Sequence, residues 1–319
     1  MRNHPARQHD RPATNRPSTD GPATTLADLR HLYAISLQAE RLSPKTLAIY
    51  LEALDHLIAF VVDQGYPTAI RDVQRSHIAE FLVALQSRGN SSATIHNRYR
   101  ALRRFFNFAV DELGLPYGPM DRMRPPRLEE KLVRPLESAQ VEAMINSCKS
   151  DWRGLRDVAI LLVLYDTGLR AEECRALTLA DLEGNRIIVY GKGSKERVVR
   201  LGYQAQMAVT RYLMRRPFDN PALWIGMTGE PLGETGLYQA VKKAGKRAGI
   251  PDVHPHQLRH GYATQYLMSG GTRQDLQQSL GHASDSITQR YVRFVAQEHA
   301  LQAHERVSPG DQLRPKRRL

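Results

Sequence analysis

At 319 residues the chain is long enough for two ordinary domains, each able to bury its own core. A formal charge of +12 and a pI near 9.8 favour polyanionic partners, nucleic acid foremost. Only Cys148 and Cys174 occur, with no Cys/His spacing suited to metal, and no apolar run reaches the roughly 20 residues of a membrane span or forms a signal peptide, so the expectation is a cytoplasmic protein without disulfides, metal or membrane segments.

Residues 1–24 are rich in Pro, Arg, Asn, Thr and Asp and lack periodic apolar positions, which predicts a disordered arm. From residue 25 to 113 the pattern is helical. Leu47, Tyr50, Leu51, Leu54, Ile58 and Val61 recur at three- and four-residue steps after a Ser43-Pro44 start signal. A second stripe, Leu102, Phe105, Phe106, Ala109 and Leu113, shares its helix with Arg98, Arg100, Arg103 and Arg104, so one face packs and the other is basic. Five prolines between 114 and 135 predict an inter-domain linker.

Beyond it, the spacing predicts helices near 138–148 and 155–166, the second stopping at Gly168, and a short one from Ala171. The β-branched runs Arg186–Tyr190 and Arg197–Leu201 flank Gly191-Lys-Gly-Ser-Lys-Glu196 and predict a hairpin with a basic tip. Further helices are expected near 234–248, 256–269, 273–280 and 284–294, and a short one before the basic tail in 298–319. The Lys242, Lys243, Lys246 and Arg247 cluster reads equally as a solvated face or as DNA-backbone contact.

Three segments carry candidate chemistry. In Thr167-Gly-Leu-Arg-Ala-Glu-Glu-Cys174 a glycine closes one helix and sets Arg170 at the start of the next. In His256-Gln-Leu-Arg-His260 the helical spacing puts Arg259 and His260 beside His256. Leu280-Gly-His282 ends another helix, and Tyr291 follows nine residues on. Taken singly, each has an ordinary structural reading, and Tyr262 and Tyr266 are no poorer as nucleophiles than Tyr291.

Together, in this order, the boxes Thr-Gly-Leu-Arg-Ala-Glu-Glu, Gly-Lys-Gly-Ser-Lys-Glu-Arg, His-x-Leu-Arg-His and Leu-Gly-His-x8-Tyr resemble those of the tyrosine recombinase, or phage integrase, family. The likeness is strong over residues 135–295 and looser over 25–113, where Leu42-Ser-Pro-Lys-Thr46 and the 92–108 helix look like the family's core-binding domain. The resemblance implies a mainly α protein with a small β-sheet. Its parts are a disordered arm (1–24), an all-α, SAM-like core-binding domain (25–113), a linker (114–135), a mixed α+β catalytic domain (136–297) and a C-terminal helix with a basic tail (298–319), the two domains forming a clamp around DNA.

Residue by residue, the resemblance implies that Arg170 and Arg259 clamp the scissile phosphate, His256 and His282 complete the polar site, and Tyr291 is the nucleophile. Lys192 falls at the family's catalytic lysine and is the choice as acid for the leaving 5′-hydroxyl, with Lys195 the alternative. Glu173 sits where a carboxylate orients an active-site histidine. The residue types suit the reaction. Attack on a phosphodiester builds charge on the non-bridging oxygens, and paired guanidinium donors match those oxygens without metal. A free phenol is ionised only about once in a thousand molecules at pH 7, so cations and a base must assist, with His256 a candidate.

The expected function is site-specific strand exchange through a 3′-phosphotyrosyl intermediate, in an Xer-like enzyme that needs neither cofactor nor ATP. Its partners would be duplex DNA bearing a recombination site and a synaptic tetramer of itself or a related recombinase, on the nucleoid. Alternatives are a type IB topoisomerase-like enzyme and a catalytically silent DNA-binding relative. Expected DNA contacts are Arg98, Arg100, Arg103, Arg104, Lys195, Lys242, Lys243, Lys246 and Arg247.

Overall fold

The computed structural model describes residues 24–129, 135–191, 196–281 and 285–313. The chain divides into two compact units, Met1–Lys131 and Leu132–Leu319, each with its own apolar core.

The first unit is all helical: α1 (Leu26–Ala39), α2 (Pro44–Asp63), α3 (Arg75–Ser87) and α4 (Ser92–Leu113). Side-chain caps define the starts, since Thr25 and Asp28 form a reciprocal capping box and the hydroxyls of Ser43 and Ser91 accept from the backbone N–H groups of Thr46 and Thr94. The apolar stripes of α2 and α4 meet in a core of Leu54, Leu57, Leu102, Phe105 and Phe106, with Tyr33 edge-on to Phe105.

The first part of the proline-rich stretch packs on the first unit. Met120 and Met123 are buried in the first unit's core, the Tyr99 hydroxyl donates to the Met123 carbonyl at 2.5 Å, and His96 Nδ1 lies 3.1 Å from the Pro126 carbonyl. Proline density stops helix formation there but does not prevent packing, and the flexible methionines fill the gaps.

The second unit is built around α6 (Trp152–Thr167), which packs against α8 (Tyr203–Leu213), α10 (Pro255–Met268), α9 (Glu234–Arg247) and α5 (Ser138–Asn146). A short α7 (Ala171–Ala176) precedes an antiparallel sheet of β1 (Leu182–Glu183), β2 (Arg186–Tyr190) and β3 (Glu196–Arg200), whose last pair is Tyr190 with Glu196. Ile187, Val189 and Val199 face the core, where Trp224 is fully buried and donates to the Cys174 carbonyl at 2.7 Å.

Finally, α11 (Arg273–Leu280) and α12 (Asp285–Val307) lie against α10. The sequence predicts two separate helices over 284–319, whereas α12 runs unbroken past residue 297, because no Gly or Pro interrupts Val295-Ala-Gln-Glu298. Helix α8, absent from the sequence expectation, begins on Gly202 without a side-chain cap to announce it.

Candidate active site

Two helix ends and one helix face assemble the site. α6 closes on Gly168 at φ +62°, a left-handed residue that turns the chain and sets Arg170 as the residue capping α7. α11 closes in the same way on Gly281 at φ +60°. Arg259, buried on α10, links the two ends, donating from Nη1 to the Gly168 carbonyl at 2.5 Å and from Nη2 to the Leu280 carbonyl at 3.0 Å. Arg170 Nη2 reaches the next carbonyl, Gly281, at 3.2 Å.

The catalytic candidates Arg170 and Arg259 therefore converge on adjacent peptides at the end of α11. Burial, and then the charge of Arg170, lower the Arg259 guanidinium to about 10, which leaves it charged at neutral pH. Two cations held this close repel, and an anion between them relieves the repulsion.

Glu173 braces Arg170. Its carboxylate accepts from Arg170 Nη1 at 2.7 Å and the Arg170 backbone N–H at 2.8 Å, and from Arg197 Nη1 and Nη2 at 3.0 and 2.7 Å. Arg197 also donates from Nε to the Ser279 carbonyl at 3.0 Å, so one β3 side chain ties the sheet to α7 and to the end of α11. Burial pushes the Glu173 carboxyl up, but the bonds from Arg197 and the Arg170 backbone prevail and hold it at about 2. The sequence expectation is that Glu173 orients a histidine; among the described residues its partners are two arginines, and His282 lies outside them.

Tyr291, on the second turn of α12, is buried with Ala263, Leu276 and Leu280. Its Oη lies 2.6 Å from His260 Nδ1, the rings 5.3 Å apart. Burial raises the phenol and the charges of Arg259 and Arg290 oppose the rise, the net being above the ordinary value. The rival tyrosines differ in setting, since Tyr262 bonds Ser279 Oγ at 2.8 Å and Tyr266 packs against Tyr262.

His256 lies at the start of α10, solvent-exposed with its ring only partly covered, and makes no hydrogen bond among the described residues; that partial burial and the nearby His254 lower it. Lys192, Lys195 and His282 lie outside the described residues. Arg197 and His260 are the residues that sequence reasoning left without a role. Both stand inside recognised boxes, but nothing in spacing or composition distinguishes a bracing arginine or a tyrosine partner from its neighbours.

Of the basic candidates, Arg100 and Arg103 are exposed on α4, whereas Arg98 pairs with Glu52 at 3.1 Å and Arg104 pairs with Glu40 and lies 5.3 Å from the Tyr50 ring centre. Lys242, Lys243, Lys246 and Arg247 are exposed on α9, with Arg247 Nη2 3.5 Å from Cys148 Sγ. No helix among the described residues is long and apolar enough to cross a membrane.

Residues 134–298 match the phage integrase family and residues 31–113 match the phage integrase N-terminal SAM-like domain. The tyrosine recombinase XerC of Pseudomonas syringae pv. tomato is 30% identical over 275 residues, 84% of this chain and 92% of that protein. XerC of Chromohalobacter salexigens is 32% identical over 287 residues, 88% and 94% of the two chains, and XerD of Listeria monocytogenes 31% over 265 residues, 80% and 89%. In fold, the chain is similar to the XerH site-specific recombinase bound to a palindromic difH substrate, with a TM-score of 0.69 at 22% identity over 90% of this chain and 85% of that one. It is equally similar to a lambda integrase dimer bound to a COC′ core site, with a TM-score of 0.69 at 18% identity over 82% and 97%. With both units matched and whole-length relatives above 30% identity, the chain belongs to the phage integrase family, the tyrosine recombinases.

Proposed function

We propose that this recombinase cleaves and rejoins DNA at a specific site through a 3′-phosphotyrosyl bond to Tyr291, with Arg170 and Arg259 holding the scissile phosphate. The observation that carries the assignment of residues is the meeting of the two guanidiniums on the Leu280 and Gly281 carbonyls, beside the core that holds the Tyr291 ring. As Tyr291 Oη attacks, charge grows on the non-bridging oxygens, and the fixed guanidinium donors stabilise it at no reorganisation cost. Glu173, itself paired with Arg197, keeps Arg170 in place, and the Gly168 and Leu280 carbonyls hold Arg259. Lys192 protonates the leaving 5′-oxygen, and His256 and His282 complete the polar surround.

The phosphotyrosyl link remains a phosphodiester, so a second 5′-hydroxyl displaces the tyrosine without ATP. The partners are duplex DNA carrying a recombination site and, for exchange, a tetramer; a lambda integrase relative of similar fold is a tetramer bound to a Holliday junction. The exposed bases of α4 and α9 supply backbone contacts, and the enzyme works on the nucleoid. Since the named relatives are recombinases, the topoisomerase-like alternative is not favoured.

Tyr291→Phe tests the assignment. It should bind target DNA as tightly as the parent and form no covalent adduct on a nicked suicide substrate. Adducts at the parental level would overturn it, and two-site substrates that give relaxed circles without recombinant junctions would overturn strand exchange.

A further inference from the structure

His260 is the residue that the polar surround just described does not use. It follows Arg259 on α10, one helical turn beyond His256, and its Nδ1 lies 2.6 Å from Tyr291 Oη. The surroundings set the protonation of both partners. Burial, then the charges of His256, Arg259, His254 and Arg290, disfavour a proton on the ring and bring it to about 4, so at neutral pH the imidazole is neutral. The phenol, held above its ordinary value, keeps its proton, and in the Nε2–H tautomer of His260 it donates to Nδ1.

We propose that His260 is the base that takes the phenolic proton of Tyr291 during strand cleavage. The inference rests on Tyr291 being the nucleophile. In the step, the Tyr291 O–H bond breaks and its proton passes to His260 Nδ1 as the Oη–P bond forms. The P–O5′ bond breaks, and the 5′-oxygen takes a proton from the acid assigned above to Lys192. Rejoining reverses each transfer: the 5′-hydroxyl returns its proton to the lysine, and the imidazolium returns its own to the departing phenolate.

The same cations make the transfer conditional on substrate. In the free enzyme an imidazolium at this position would face Arg259, Arg290 and two histidines, so the proton stays on oxygen. A phosphodiester seated between Arg170 and Arg259 adds a negative charge that offsets theirs and brings His260 up toward the working pH, where a base is most effective. Proton removal thus awaits a bound phosphate, and the tyrosine is not activated toward water or adventitious electrophiles beforehand. His256 lacks this geometry, being exposed and without a hydrogen bond among the described residues.

The test compares His260→Asn, whose carboxamide oxygen occupies the place of Nδ1 and keeps the hydrogen bond but takes no proton, with His260→Ala. Single-turnover cleavage is measured on a suicide duplex alongside DNA affinity. Both variants should lose roughly 100-fold or more in cleavage rate, and His260→Asn should bind DNA like the parent. Added imidazole should restore adduct formation to His260→Ala and not to Tyr291→Phe. Parental cleavage by His260→Asn would overturn the role as base, leaving only a hydrogen-bond acceptor, and parental cleavage by His260→Ala would overturn both. If Tyr291→Phe still forms adducts, the nucleophile assignment fails instead, whatever the His260 variants do.

Discussion

Glu173 sits between two guanidiniums of unequal standing. Its side chain is 7% exposed, that of Arg197 14% and that of Arg170 39%. Solvent screens the outer pair, so Arg197 is the partner on which the carboxylate depends, while Arg170 stays accessible to a phosphate. With the carboxyl held at about 2 against an ordinary 4.5, the ionised form is favoured in the folded protein by about 3 kcal/mol. For a depressed carboxyl this stabilisation is complete above pH 4.5 and is lost as the pH falls toward 2. Arg197→Ala removes one partner of a buried pair and should cost about 3 kcal/mol in urea unfolding at pH 7. The cost should shrink as the pH drops below 4.5, because the orphaned carboxylate is then protonated. A penalty that is constant across that range would mean that Arg197 acts only through packing. Its loss should also slow DNA cleavage, since the end of α11 would lose its tie to β3.

At the level of elements, the site hangs on left-handed glycine stops. A Cβ on Gly168 would lie 2.3 Å from Tyr262 Cδ1 and 2.6 Å from Leu280 Cδ2, in a backbone at φ +62°. Gly114, which ends α4 at φ +58°, has nothing within 4 Å. Gly114→Ala should therefore cost only the left-handed strain, about 1 kcal/mol. Gly168→Ala adds overpacking and should cost about 3 kcal/mol or more by urea unfolding. It should also depress cleavage out of proportion, because the displaced carbonyl is the one that Arg259 Nη1 holds. Equal penalties for the two would show that the Gly168 contact relaxes freely.

These stops were legible as sequence, for a glycine after an apolar run has a local cause, and so were the β2–β3 hairpin and the stripes of α2 and α4. Sequence patterns missed what has no local cause. Arg197 binds Glu173 across 24 residues and Ser279 across 82, and His260 meets Tyr291 across 31. The Pro-rich stretch shows the limit of a local signal, because proline reports on helix formation and says nothing of whether Met120 and Met123 find a core.

Across the whole molecule, the +12 charge is not equivalent from residue to residue. Arg98 and Arg104 are engaged by Glu52 and Glu40 within the first unit, and the Arg104 guanidinium also lies over Tyr50, whereas Arg100 and Arg103 on the same helix are exposed, as are Lys242 and Lys246 on α9. A cation that neutralises a phosphate releases a counterion, so each such contact adds a little under one to the slope of log affinity against log salt. Replacing Arg100, Lys242 or Lys246 with Ala should therefore weaken binding alike on specific and random duplexes, lowering that slope by about one apiece while leaving Tm unchanged. Arg104→Ala leaves Glu40 without its cation and strips the Tyr50 ring, so it should lower the Tm of the first unit and affect the salt slope less. The paired measurement separates the cations that hold the fold from those that meet DNA. If Arg100→Ala left the slope untouched while Arg104→Ala lowered it, the DNA-facing side of α4 would be the one that carries the ion pairs.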